Sequence, residues 1–360
     1  MTEPRIVLSP GDRMPFCYGM DGYRRFYSFE QQTGRAAAMV LALQVPPSRL
    51  QELAGQFGRR ADELATRDMD VLILGDQDVV MGPLSRQQGV RTVDCGLHFL
   101  ARCGVVPGEP IVMVTDRSLR IAGVLSEAAE DVAAECLGCL DALPGEPARE
   151  VFLPAPVLML PNLLPRDLCA ALIALFESGP SVDGGMASID LDGTPQTRVD
   201  HDKKRRRDRQ LLPPDALYPV VREMLLRRCV PEISAAFQVR IGYTDRILIA
   251  RYDESGGYFR RHRDNVGENV AFREFAISVN LNTEAYEGGA LHFPEYNDHA
   301  YRPATGAGII FSASILHEAV PVSRGQRYVL LTFFHGEAAE ARRRDYEAKA
   351  VAGAVSASTA

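Results

Sequence analysis

The sequence predicts two domains of different class. An α/β layer occupies residues 1–145, and residues 151–340 form an α+β unit whose strands make a sandwich or barrel of the jelly-roll type with flanking helices. Three observations predict this. The first 145 residues alternate buried-strand and amphipathic-helix patterns. The stretch LPGEPARE at 143–150 carries Pro, Gly and charge without periodicity, which marks a linker. From Arg246 onward the chain breaks into many short strand-like runs divided by Gly, Pro and Asp.

In the first half, RAAAMVLALQV at 35–45 predicts a buried strand. PSRLQELAGQFGRRADELATR at 47–67 predicts a helix opened by Pro47. MDVLILGD at 69–76 is a second strand, and TVDCGLHFLARCGV at 92–105 reads as a helix. EPIVMVTD and LRIAGVL form a strand pair, and EAAEDVAAECLGCLDAL closes the domain as a helix. In the second half, VFLPAPVLMLPNLL is extended. Helices follow in PRDLCAALIALFES and DALYPVVREMLLRRCVPEISAAF. The runs RILIARYD, FAISVNLNT, GALHFPE, HAYRP, AGIIFS, ILHEAVPV and RYVLLTFF then supply the strands. The Ala- and Ser-rich residues 341–360 predict a frayed helix and then a disordered tail.

Composition excludes several classes. A net charge of −7 gives no global reason to bind nucleic acid or an anionic membrane. MTEPRIVLSPGDRM lacks the apolar core of a signal peptide, and AAAMVLALQV is about half a membrane span. Seven scattered cysteines, an odd number, suit a reducing compartment. A cytoplasmic protein without nucleic-acid or membrane partners is expected.

The chemistry gathers around His262-Arg263-Asp264 in RYDESGGYFRRHRDN at 251–265. On an extended chain, residues two apart share a face, so His262 and Asp264 can meet one ion. A bare His-x-Asp is close to chance, and its context has to decide. YEGGALHFPEY follows, in which Gly288-Gly289 suits a tight turn. GIIFSASILHEAVPVSRGQRY then supplies His317 and, ten residues later, Arg327. Two His and one Asp, with the third ligand distant in sequence, make a facial triad for non-haem Fe(II). Asn280 and Asn282 offer supporting hydrogen bonds or plain strand polarity. His292, His299, Phe293 and Phe311 are structural or surface positions.

RYDESGGYFRRHRD, EGGALHFP and LHEAVPVSRGQRY, preceded by PVLMLPNLLPRDLCAALI, together resemble the prolyl 4-hydroxylase-type branch of the Fe(II)/2-oxoglutarate oxygenases. The resemblance spans about 151–337, roughly half the chain. It implies a double-stranded β-helix (jelly roll), with His262, Asp264 and His317 as metal ligands. Arg327 would pair with the distal carboxylate of 2-oxoglutarate, and Tyr252 would place its hydroxyl on the same group. O2 is the implied oxidant, with ascorbate as an accessory reductant. The implied substrate is a protein, a peptide or a small amino-acid-like molecule, with a prolyl residue first among them.

Two further segments carry expectations. VDHDKKRRRDRQLLPP reads as a solvated basic loop or, by its position, as a basic lid favouring an acidic substrate. The order of the first domain, opened by LSPGDRMPFC, resembles the peroxiredoxin/thioredoxin-like fold, and Pro110 falls where that fold often places a cis proline. No cysteine follows the strand ending at Val45, where a peroxidatic thiol belongs. Cys136 and Cys139 form a C-x-x-C inside the closing helix, not at its positive end. This domain is therefore expected to lack redox activity and to present substrate, bind a partner or pair two copies of the chain. The competing readings are a thiol-dependent redox protein and a non-catalytic binding module.

Overall fold

The computed structural model describes residues 8–358 apart from 30, 31, 33, 82, 83, 85–88, 144, 146–149, 190–194 and 255. Two compact units divide the chain, Met1–Glu146 and Pro147–Ala360. The division falls in the 143–150 stretch, much of which lies outside the described residues.

The first unit is built on one seven-stranded sheet. Its order is Phe26–Ser28, Tyr18–Asp21, Arg91–Asp94, Met69–Gly75, Ala36–Ala42, Ile111–Thr115, Ile121–Leu125. The strands Ala36–Ala42, Met69–Gly75 and Arg91–Asp94 run parallel, and the other pairings are antiparallel. All of Ala36–Ala42 is buried because both faces are covered. Leu50, Leu53 and Phe57 share one cluster with Ala38 and Val40, while Phe99 and Leu100 share another with Met39 and Leu41.

Two expectations change here. The 92–105 segment is not one helix. Its β-branched start pairs as the Arg91–Asp94 strand, and the helix begins only at Gly96, whose φ of +73° breaks the extended run. Pro110 is buried, and no peptide bond among the described residues is cis.

In the second unit a large antiparallel sheet has the order Val157–Leu160, Gly308–Ser312, Phe275–Asn280, Val322–His335, Ile247–Asp253, Arg207–Leu211, Val182–Asp183. Its two faces follow the period of two. Ile249, Ile277 and Leu330 turn to the helices Arg166–Glu177 and Leu217–Phe237, packing with Leu172, Phe176, Val221 and Leu225. Ala250, Ala276, Val329 and Phe333 turn the other way into a separate cluster with Phe293 and Phe311. A smaller sheet, ordered Lys204–Arg205, Tyr258–His262, His317–Ala319, Leu291–His292, contributes Leu291 and Ala319 to that second cluster.

Three corrections follow. The tail expected after Glu340 to be a frayed helix and then disordered is helical through Ser358, within a helix Glu337–Ser358. It is anchored where buried Glu340 meets His335 Nε2 at 2.9 Å and also accepts from Arg343 and Arg344. The basic run is not a loop, because Lys204–Arg205 and Arg207–Leu211 are strands. HAYRP forms only a bridge between Tyr301 and Leu291. Among the described residues no helix is long and apolar enough to cross a membrane.

Candidate active site

His262 ends the Tyr258–His262 strand and stands in register with His317, the first residue of the next strand. Asp264 lies just beyond, where its backbone N–H donates to Ala313 O at 2.9 Å. One ligand atom from each of the three residues lies within 4.8 Å of the others. His262 Nε2 is 3.5 Å from one Asp264 oxygen, and His317 Nε2 is 3.3 Å from the other.

Each Nδ1 meets a main-chain carbonyl, Arg260 O at 2.8 Å and Ile315 O at 3.0 Å. A carbonyl only accepts, so Nδ1 carries the proton and the bare Nε2 faces Asp264. Phe259 stacks on His262 at 3.4 Å, and Phe311 meets His317 edge-on at 4.6 Å, which fixes both rings. Burial pushes His317 down to about 4, so its imidazole is neutral near pH 7. Two imidazoles, each held through Nδ1 on a main-chain carbonyl, and one carboxylate are the donor set of a facial Fe(II) site, and these residues fit that ion.

The three groups open onto a cavity of about 420 Å³ lined by both sheets. Arg327 lines it from the long strand, in register with Tyr252. Its guanidinium is 2% exposed and forms no ion pair among the described residues. Nη2 donates to Asn280 Oδ1 at 3.2 Å and Ser278 Oγ at 3.4 Å, and Nε has no partner. A buried guanidinium without a carboxylate is costly to maintain, so this end of the cavity is built for an anion brought from outside.

Tyr252 is buried beside it, and its hydroxyl accepts from Arg206 Nη1 at 3.1 Å. Gly288 and Gly289 both take positive φ, +72° and +61°. A Cβ on Gly289 would stand 2.8 Å from Arg327 Cδ and 3.0 Å from Val322 Cγ2. The EGG motif therefore lets the chain pass close behind Arg327.

All five expected site residues line or face this cavity. Asn280 holds Arg327, whereas Asn282 serves the backbone, accepting from Tyr328 N and donating to Gln326 O. His292 and His299 stay outside the trio, and Phe293 and Phe311 are core. Sequence reasoning missed Ser278, although its alternation with Asn280 on one strand face is legible. It also placed Lys204 and Arg206 in solvent. Their side chains are 4% and 6% exposed, and both line the cavity.

The family model for the 2OG-Fe(II) oxygenase superfamily matches residues 247–335, the stretch holding all five residues. A PKHD-type hydroxylase of Sphingopyxis alaskensis is 38% identical over 61 residues, which are 17% of this chain and 28% of that protein. The chain thus spans little more than a quarter of the length of this curated relative. A prolyl-4-hydroxylase of Pseudomonas putida is similar at 20% identity with a TM-score of 0.39, over 50% of this chain and 91% of that one. The thioredoxin domain of a Bacteroides vulgatus thiol-disulfide oxidoreductase is similar at 11% identity with a TM-score of 0.32, over 37% and 98%. Residues 247–335 are thus similar in sequence to the 2OG-Fe(II) oxygenase superfamily.

Proposed function

We propose that the protein is an Fe(II)- and 2-oxoglutarate-dependent dioxygenase. It hydroxylates an unactivated C–H bond of a prolyl residue or another amino-acid-like substrate and releases succinate and CO2. The observation that carries this reading is the convergence of His262, Asp264 and His317 on a cavity whose far side holds a buried, unpaired Arg327. When bound by these three residues, Fe(II) supplies the activation of O2 that no protein side chain can perform.

The chain's own residues supply position and charge. The Nδ1–H groups of His262 and His317 stay on the carbonyls of Arg260 and Ile315, which holds both Nε2 atoms toward the ion. Arg327 receives the distal carboxylate of 2-oxoglutarate, a task suited to a permanently charged planar fork. Tyr252 adds a hydroxyl already oriented by Arg206. Phe259, Leu291 and Phe311 make the walls apolar and limit water near the reacting centre.

For the first unit, a thioredoxin-like fold without redox chemistry is our reading, serving substrate presentation, partner binding or pairing of two copies. Burial pushes the Cys136 thiol up to about 12, and it raises Cys139 as well. A thiolate is therefore scarce at either position, which disfavours a thiol-dependent activity.

The test is anaerobic addition of Fe(II) and 2-oxoglutarate to the full chain. A weak visible charge-transfer band is expected, lost in His317→Ala and needing more 2-oxoglutarate in Arg327→Ala. Folded, iron-replete protein with no band would overturn the assignment in favour of a binding module.

A further inference from the structure

The cavity carries more positive charge than the proposed cosubstrate uses. Asp264 is the only carboxylate among its described lining residues, which include seven cations. Arg263 is offset by Glu295 at 2.6 Å and Arg273 by Asp245 at 2.7 Å. Lys204 and Arg206 share the single carboxylate of Asp208, at 3.6 Å and 2.6 Å. Lys203, Arg246 and Arg327 form no ion pair among the described residues.

With Lys204 protonated, seven cations against the carboxylates of Asp264, Glu295, Asp245 and Asp208 leave three positive charges. A divalent metal adds two and 2-oxoglutarate removes two, so the excess survives loading of both. Arg327 takes one end of the dicarboxylate. Arg246 lies one residue before the Ile247–Asp253 strand, at the end away from Tyr252 and Arg327.

The crowding is visible in the cations themselves. Burial, then Arg206 and Arg246, push Lys204 down to about 7, and Asp208 only partly restores it. Burial and Arg273 likewise lower Arg246. Lys204 Nζ donates to Gly185 O at 2.9 Å and lies 4.8 Å over the Phe259 ring that backs His262, so it borders the metal end of the cavity.

We propose that Lys204 and Arg246, backed by Arg206, form a second anion-binding subsite, and that the substrate carries a carboxylate held there while its C–H bond faces the metal ligands. The inference deepens the dioxygenase reading and rests on it for the identity of the occupant. It narrows the substrate class to acids: a free amino acid, or a residue with a carboxylate close to the hydroxylated carbon.

The test uses full-length protein loaded with Mn(II) and saturating 2-oxoglutarate at low ionic strength, with inorganic phosphate as the titrated probe in calorimetry. Saturable binding is expected, weakened at least tenfold in Arg246→Gln and in Lys204→Met, while 2-oxoglutarate affinity stays within twofold. No phosphate binding to the loaded protein overturns the subsite, as does binding that 2-oxoglutarate displaces or that neither substitution changes. The anaerobic Fe(II) charge-transfer band is recorded on the same preparations. A missing band with intact phosphate binding sinks the dioxygenase reading and spares the subsite; the reverse result spares the dioxygenase alone.

Discussion

Lys204→Met should stabilise the protein, and by an amount that depends on pH. In the fold this ammonium is 4% exposed and faces Arg206 and Arg246, with Asp208 its nearby carboxylate. Its value falls from 10.5 to about 7. At about 1.36 kcal/mol per unit, holding the charged form costs roughly 4–5 kcal/mol relative to the unfolded chain. Methionine loses the bond to Gly185 O, worth about 2–3 kcal/mol for a charged donor, while Arg206 still satisfies Asp208 through two bonds.

A net gain of about 1–3 kcal/mol is expected at pH 6. The sign follows from linkage. The unfolded lysine is protonated below 10.5 and the folded one only below about 7, so wild-type stability rises with pH between those values. The Met advantage must therefore be largest at or below pH 7 and fade toward pH 10. In calorimetric melts of the full chain, the transition of the second unit should rise by about 3–10 °C at pH 6. A lower transition, or a gain that does not change with pH, would refute the reasoning.

Further outcomes are expected. Arg327→Ala should raise the KM for 2-oxoglutarate by about 10–100-fold, the value of a charge-assisted hydrogen-bond pair, with a smaller effect on kcat in steady-state assays of succinate release. Gly289→Ala forces a left-handed backbone onto a residue with a side chain and presses on Arg327. It should cost about 1–2 kcal/mol in the melt and weaken 2-oxoglutarate binding as well. His317→Ala should lower Fe(II) affinity at least about tenfold by equilibrium dialysis. The double variant Cys136→Ser, Cys139→Ser should retain full turnover, and its loss would revive a thiol role for the first unit.

The candidate metal ligands were legible because their identity and order survive as text: a His-x-Asp, a distant His, and an Arg ten residues on. Ser278 was missed although it alternates with Asn280 on one strand face, because only the fold brings Arg327 to its hydroxyl. The basic run misled for a physical reason. Charge density predicts solvent exposure, but pairing of Lys204 with Phe259 and of Arg207 with Arg251 turns alternate cations inward. In the first unit the hairpin of Tyr18–Asp21 and Phe26–Ser28 escaped notice because its short strands leave Tyr18 and Phe26 outside, blurring the alternation. Its turn was legible, since the Asp21 carboxylate accepts from the N–H groups of Tyr23 and Arg25.

The 14-residue strand Val322–His335 pairs with Phe275–Asn280 on one side and Ile247–Asp253 on the other. Tyr252, Ser278, Asn280 and Arg327 therefore become neighbours only when this late strand inserts between two earlier ones. Contacts across such sequence distances form slowly. During synthesis the cosubstrate end of the cavity stays unmade until the chain has passed His335, and a truncation before that point removes it entirely. Under the proposed function the capacity to bind 2-oxoglutarate is acquired late, and its recovery during refolding should lag behind the return of helical signal.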